Sequence, residues 1–172
     1  MPPPPADPAG TLCTQCGLCC DGTLFGDVEL TGRREAVRLA ILGLDVDADD
    51  ADVELLALPC AALRGTRCGI YPLRPRCCRT FECRLLRAVA SGQVTAGAAL
   101  ARVTEARTEV RRVTGLLARL EPRGNQALPL AERVADALAS APAGADRGAA
   151  RREALAAAMA AVSRTIRSTF LD

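Results

Sequence analysis

The run Cys13-Thr14-Gln15-Cys16-Gly17-Leu18-Cys19-Cys20 places four thiols within eight residues. A Cys-x-x-Cys step is the spacing at which two thiolates reach one metal ion from a tight turn. Here the step occurs twice in succession, Gly17 lets the backbone curl between the thiols, and a further cysteine ends the run. Five more follow at Cys60, Cys68, Cys77, Cys78 and Cys83, and none after. All nine thus lie in the first half of a 172-residue chain, so the sequence divides into a thiol-rich half and a thiol-free half.

The chain contains no His. That removes the commonest general base and every mixed Cys/His metal site, so any metal is held by thiolates, with at most a carboxylate or an exogenous ligand beside them. Met1-Pro2-Pro3-Pro4-Pro5 offers neither the basic nor the apolar stretch of a signal peptide, and no apolar run approaches the ~18 residues of a membrane span. The expectation is a cytoplasmic protein with reduced thiols, which disfavours a disulfide framework. A formal net charge of +2 and four aromatic residues (Phe25, Tyr71, Phe81 and Phe170) argue against nucleic-acid binding through zinc knuckles.

Two tetrahedral all-thiolate sites need eight ligands and one four-iron cluster needs four, so nine cysteines leave room for either arrangement or one of each. Side chains of adjacent residues diverge in extended and helical backbone alike. Cys19 and Cys20 are therefore expected to serve two sites, or one bridged multinuclear site, and Cys77-Cys78 poses the same question. Seven arginines lie between residues 64 and 87, opposed only by Glu82. Guanidinium groups there would offset the charge of about −2 on a four-thiolate divalent site, with Arg74 and Arg79 the best candidates for structural roles.

The predicted fold is mainly α, with a loop-rich all-cysteine metal-binding half followed by a helical half. Residues 1–10 read as a poorly ordered Pro-rich lead, 11–90 as the cysteine-cluster domain, and 91–172 as helices packing on it or on a partner. Thr31 is expected to cap a helix over 33–42 that ends at Gly43, with Val37, Leu39, Ile41 and Leu42 as its apolar positions. Residues 45–54 form an acidic surface loop; an EF-hand frame from Asp45 would need Gly and Glu where Asp50 and Leu56 stand. A short strand is expected over 53–58. Val103, Ala106, Val110, Val113, Leu117 and Leu120 make the stripe of one amphipathic helix, ending near Pro122-Arg123-Gly124. A second spans about 128–139, is broken at Pro142-Ala143-Gly144, and is followed by a third over 147–170 with Leu155, Met159, Val162, Ile166 and Phe170 on one face.

Cys13-x2-Cys16-x2-Cys19-Cys20, then Pro59-Cys60, then Cys68-Gly69-Ile70-Tyr71-Pro72-x-Arg74-Pro75-x2-Cys78-Arg79-x-Phe81-x-Cys83 resembles the YkgJ-type CxxCxxCC cysteine-cluster family, which is described as zinc- or iron-chelating. Flagellin lysine N-methylase carries a related cluster. The resemblance covers roughly residues 10–90. It implies eight metal-ligating positions, Cys13, Cys16, Cys19, Cys20, Cys60, Cys68, Cys78 and Cys83, and leaves Cys77 in a variable slot as an extra thiol. Within this segment Tyr71-Pro72 and Arg74-Pro75 are stiff, because each Pro fixes its own φ and restrains its predecessor. Tyr71 is expected to pack on the metal loop rather than donate a proton, Phe81 to shield the cluster, and Asp21 and Asp27 to be turn or capping residues.

Two functions remain. One is a zinc or iron–sulfur protein with redox chemistry or, by analogy to the flagellin methylase, methyl transfer. The other is a structural zinc module whose C-terminal helices bind a protein partner or a second copy. The sequence offers no phosphate-binding glycine loop and no nucleophile–base pair, so whether the chain is an enzyme stays open. Iron and zinc both accept four thiolates, so the identity of the metal stays open too.

Overall fold

The structure, a computed structural model, describes residues 8–48, 53–121, 124–140 and 148–171. Of the acidic loop expected over 45–54, residues 46–48 and 54 instead lie in paired strands and 49–52 lie outside those residues, as do the helix stop at Pro122-Arg123, the break at Pro142-Ala143-Gly144 and most of the Pro-rich lead. The fold is mainly α. Among the described residues there are seven helices, α1 (Pro8–Cys16), α2 (Arg33–Ile41), α3 (Arg76–Thr80), α4 (Arg84–Ala90), α5 (Ala96–Leu120), α6 (Leu130–Ala139) and α7 (Ala149–Thr169). The strands are short: β1 (Asp27–Glu29), β2 (Val46–Ala48), β3 (Glu54–Ala57), β4 (Leu63–Arg64) and β5 (Arg67–Cys68).

The three C-terminal helices follow the apolar stripes. Thr95 caps α5 by accepting from the Ala98 N–H at 3.2 Å. Val103, Ala106, Val113 and Leu117 of α5 are buried against Leu155, Val162, Ile166 and Phe170 of α7, and α6 closes the group with Leu130, Val134 and Ala137. This core also takes Leu12 and Leu18 from either side of the Cys13–Cys16 segment, and Leu85 and Leu86 from α4. The first cysteines are therefore anchored in the helical core.

A second, smaller core lies between α2 and a three-stranded antiparallel sheet of order β1-β3-β2. The register pairs Val28 with Leu56 and Val46 with Leu56, so Leu56 sits at the centre of the sheet beneath Leu39 and Ala36 of α2. Helix α2 differs from expectation in two ways. Its cap position is Gly32, at φ +84, while the Thr31 backbone N–H donates to Glu35 Oε2 at 2.9 Å. A residue with φ above zero strongly favours Gly, which is why the cap moves one place from Thr31. Val37, Ile41 and Leu42 are exposed, since α2 has the sheet on one side only and Leu39 and Ala36 fill that side.

Candidate metal centres

Cys13 and Cys16 lie on the last turns of α1 rather than in a free loop, and Gly17 ends the helix at φ +72. A side chain at Gly17 would stand 3.1 Å from the Cα of Thr66, the tip of the β4–β5 hairpin. The Thr66 hydroxyl donates to the Thr14 carbonyl at 2.7 Å, so the hairpin is docked on α1. The Cys60 N–H donates to the Cys20 carbonyl at 2.8 Å, and β4–β5 pairing sets Leu63 opposite Cys68. These contacts bring the segment around Cys60 and Cys68 onto the Cys13–Cys20 run.

The electrostatic surroundings of the thiols divide them into two sets. Burial pushes the Cys16 thiol up to about 12, and the charges of Cys83 and Cys13 add to it. Cys19 is raised by burial and then by Cys16, Cys20, Cys83 and Cys13. Burial pushes Cys20 up to about 12 as well, but its strongest thiol neighbours are Cys60 and Cys68. Cys60 is raised by burial and by Cys68, and Cys78 by Cys77, by burial, and by Cys20 and Cys60. One set is Cys13, Cys16, Cys19 and Cys83; the other is Cys20, Cys60, Cys68 and Cys78, with Cys77 beside it. Cys19 and Cys20 differ in their strongest thiol neighbours, Cys16 for one and Cys60 for the other, while Cys13 lies near both.

None of the nine cysteines is joined in a disulfide. Among the described residues no three cysteine or carboxylate side chains stand at the spacing of a formed metal site, so binding an ion would draw the thiols of each set inward. The donor chemistry nonetheless fits such a group. Each set offers four thiols, the number taken by a tetrahedral zinc ion or a four-iron cluster. Burying that many ionisable thiols near one another raises their pKa values, and a cation in their midst reverses this. Backbone N–H groups already point at sulfur. Leu86 N–H donates to Cys83 Sγ at 3.4 Å and caps α4, and the N–H groups of Leu18 and Ala62 oppose the rise of the Cys16 and Cys60 thiols, while Leu63 N–H donates to the Cys60 carbonyl. Such bonds favour the thiolate and orient it.

Basic and acidic residues around the thiols act mostly through the backbone. Arg74 lies 3.6 Å over the Tyr71 ring and donates to the carbonyls of Tyr71 and Cys78, at 3.2 and 3.5 Å, holding the approach to α3 in shape. Phe81 meets Phe25 edge to face at 5.2 Å and remains 39% exposed, so it covers the cysteines less fully than expected. Asp21 accepts from the Thr23 N–H at 3.0 Å, the contact of a turn residue; burial raises its carboxyl and that bond opposes the rise.

Sequence reasoning missed three positioning residues. Arg107 of α5 donates to the Cys16 carbonyl at 2.6 Å across 91 residues of chain. Glu35 accepts from the Arg76 N–H at 2.9 Å and so ties α2 to α3. Gly22, at φ +76, accepts from the Leu130 N–H at 3.0 Å and lies against Pro129, which joins the cysteine run to α6. None carries a local signal, because each acts on a segment far away in sequence.

Comparison with known families adds one finding. The model of the CxxCxxCC family, described as "Putative zinc- or iron-chelating domain", matches residues 12–105, from α1 into α5. No curated protein and no solved structure matches the chain.

Proposed function

The chain belongs to the CxxCxxCC family, and from that premise we propose that it holds two metal ions on two four-thiolate centres. Cys13, Cys16, Cys19 and Cys83 bind the first ion, and Cys20, Cys60, Cys68 and Cys78 the second. One observation supports the reading: the strongest thiol neighbour of Cys19 after burial is Cys16, while those of Cys20 are Cys60 and Cys68, with Cys13 near both. Zinc suits both centres, because it accepts four thiolates in a tetrahedron and needs no further ligand. The ions would fasten the segment from β1 to α3 onto α1 and thereby onto the helical core, making metal a part of the folding free energy. On this reading the protein is a zinc module, and the outward faces of its C-terminal helices are where a protein partner or a second copy would bind.

A second reading is favoured by one feature of the first set. Three of its thiols keep the Cys-x2-Cys-x2-Cys spacing and the fourth comes from distant Cys83, a pattern that also ligates a four-iron cluster. That centre would supply redox chemistry; methyl transfer would in addition require a bound methyl donor.

Metal analysis of protein purified without air decides between them, alongside Cys19→Ser and Cys20→Ser. Two colourless zinc ions per chain, with each variant losing one, is the expected result. Iron with sulfide and a visible absorption band would make the first centre an iron–sulfur cluster. A chain that retains no metal would sink both readings.

A further inference from the structure

Nine thiols serve eight ligand positions, and the ninth stands beside one of them. Cys77 Sγ is 4.0 Å from Cys78 Sγ. Two thiolates on one tetrahedral ion, with bonds of about 2.3 Å, stand about 3.8 Å apart. The two sulfurs therefore already sit at the separation of two ligands on a single ion. Both project from the first turn of α3, whose start is pinned by the Arg76 N–H bond to Glu35 and by Arg74 at the Cys78 carbonyl. Cys77 packs against the same small core as Cys60 and Cys68, so its sulfur is on the side of the second set rather than turned to solvent. The first set contains no such surplus; two of its thiols, Cys16 and Cys83, pack against the helical core.

Building on the two-centre reading, we infer that Cys77 and Cys78 compete for one coordination position of the second centre, which makes that centre a site of metal exchange while the first is a site of retention. The exchange is a ligand substitution. Cys77 would give up its thiol proton on taking the position and Cys78 would take up a proton on leaving it, so one sulfur–metal bond would form for each one broken. No electrons move. A centre that changes one ligand without losing its ion can also accept a thiolate from outside, so its ligand class is a thiophilic divalent cation passed to or from another thiolate-bearing molecule.

The test uses the full chain loaded with zinc and a chromophoric chelator as acceptor. Wild-type protein should release one ion quickly and one slowly. Cys77→Ser should still hold two ions but slow the fast phase by about tenfold, having lost the incoming ligand. Cys78→Ser should also hold two, because Cys77 takes the vacant position, and only the double variant should hold one. In the wild-type protein, alkylation mapped by mass spectrometry should label Cys77 and Cys78 each in part, while Cys20, Cys60 and Cys68 stay protected. That measurement needs no variant to fold. A Cys78→Ser chain holding one ion, or Cys77 fully labelled with Cys78 protected, overturns the exchange and leaves two centres standing. A wild-type chain that holds fewer than two ions overturns the two-centre reading and the exchange with it.

Discussion

The two cores of this molecule are built on different terms. Seventeen buried residues from α1, α4, α5, α6 and α7 and the turn at Leu18 make one continuous apolar interior, with Leu155, Val113, Ala99 and Leu18 fully enclosed. The region of α2 and the β1-β3-β2 sheet buries six, and its helix leaves Val37, Ile41 and Leu42 exposed. Burial of a Leu or Val side chain contributes about 1.5–3 kcal/mol, set against about 1–2 kcal/mol of backbone entropy for every residue ordered. A helix pair with stripes on both faces meets that cost from its own sequence. A small sheet with three-residue strands does not, and needs cross-links. Cys60, Cys68 and Cys77 pack against the thinner core, while Cys16 and Cys83 pack against the larger one.

Removing metal should separate the regions most sharply. Structural zinc in small domains contributes about 10–16 kcal/mol, more than the small core supplies. After chelation, amides of β1–β5 and α2 should exchange quickly while those of α5 and α7 stay protected, as followed by hydrogen exchange. Equal loss of protection across the chain would erase the distinction.

Single core substitutions come next. Leu155→Ala should cost about 2–5 kcal/mol and lower the melting temperature without changing metal affinity. Leu39→Ala, equally buried in the small core, should instead loosen the grip on the second ion, measured as faster transfer to a chelator. If both variants change only the melting temperature, the two cores act as one.

Alkali should act on the metal-free chain by a smaller amount. Cys16 is raised from the ordinary thiol value to about 12, chiefly by burial. A group raised on folding stabilises the fold below its unfolded pKa and ceases to do so as pH climbs through the folded one. Stability of the metal-free helical core should therefore be flat below pH about 9 and decline toward about 12, by at most a few kcal/mol. With metal bound the thiolates are already formed and the decline should vanish; a decline that persists would place the cause elsewhere.

Smallest is Arg107→Ala, which removes the 2.6 Å bond to the Cys16 carbonyl. A loss of about 1 kcal/mol in global stability is expected, with a larger relative effect on retention of the first ion than of the second. An equal effect on both ions would mean that Arg107 does not report on the first set alone.

The helices α5, α6 and α7 were legible because helical stripes are local: Val103 to Leu120 and Leu155 to Phe170 repeat within single segments, and those positions are the buried or half-buried ones. The expected divergence of Cys19 and Cys20 is an inference of the same local kind, being a property of neighbouring residues. What the sequence did not disclose depends on distant partners. Strand β3 was expected over 53–58 and stands at Glu54–Ala57, but β1 exists because β3 pairs with it from far along the chain, Glu29 opposite Leu55, and its three residues are too few to announce themselves. Thr31 lost the cap to Gly32, which stands at positive φ, while the Thr31 N–H donates to Glu35 in the first turn of the helix. Arg107 looked like one solvated arginine among many.

Glu35 deserves a last look for what its carboxylate does to the chain as a polymer. Burial opposes its ionisation, yet the N–H groups of Thr31 and Arg76 prevail and hold it below the ordinary carboxylate range. Its two oxygens thus join segments 41 residues apart. The loop they close runs from α2 to α3 and is nested inside the one that joins Cys20 to Cys78. Closing an inner loop shortens the outer one, and the entropy of meeting falls with the logarithm of the remaining length. A carboxylate with no metal of its own thereby raises the effective concentration at which distant thiols find each other, before any ion arrives.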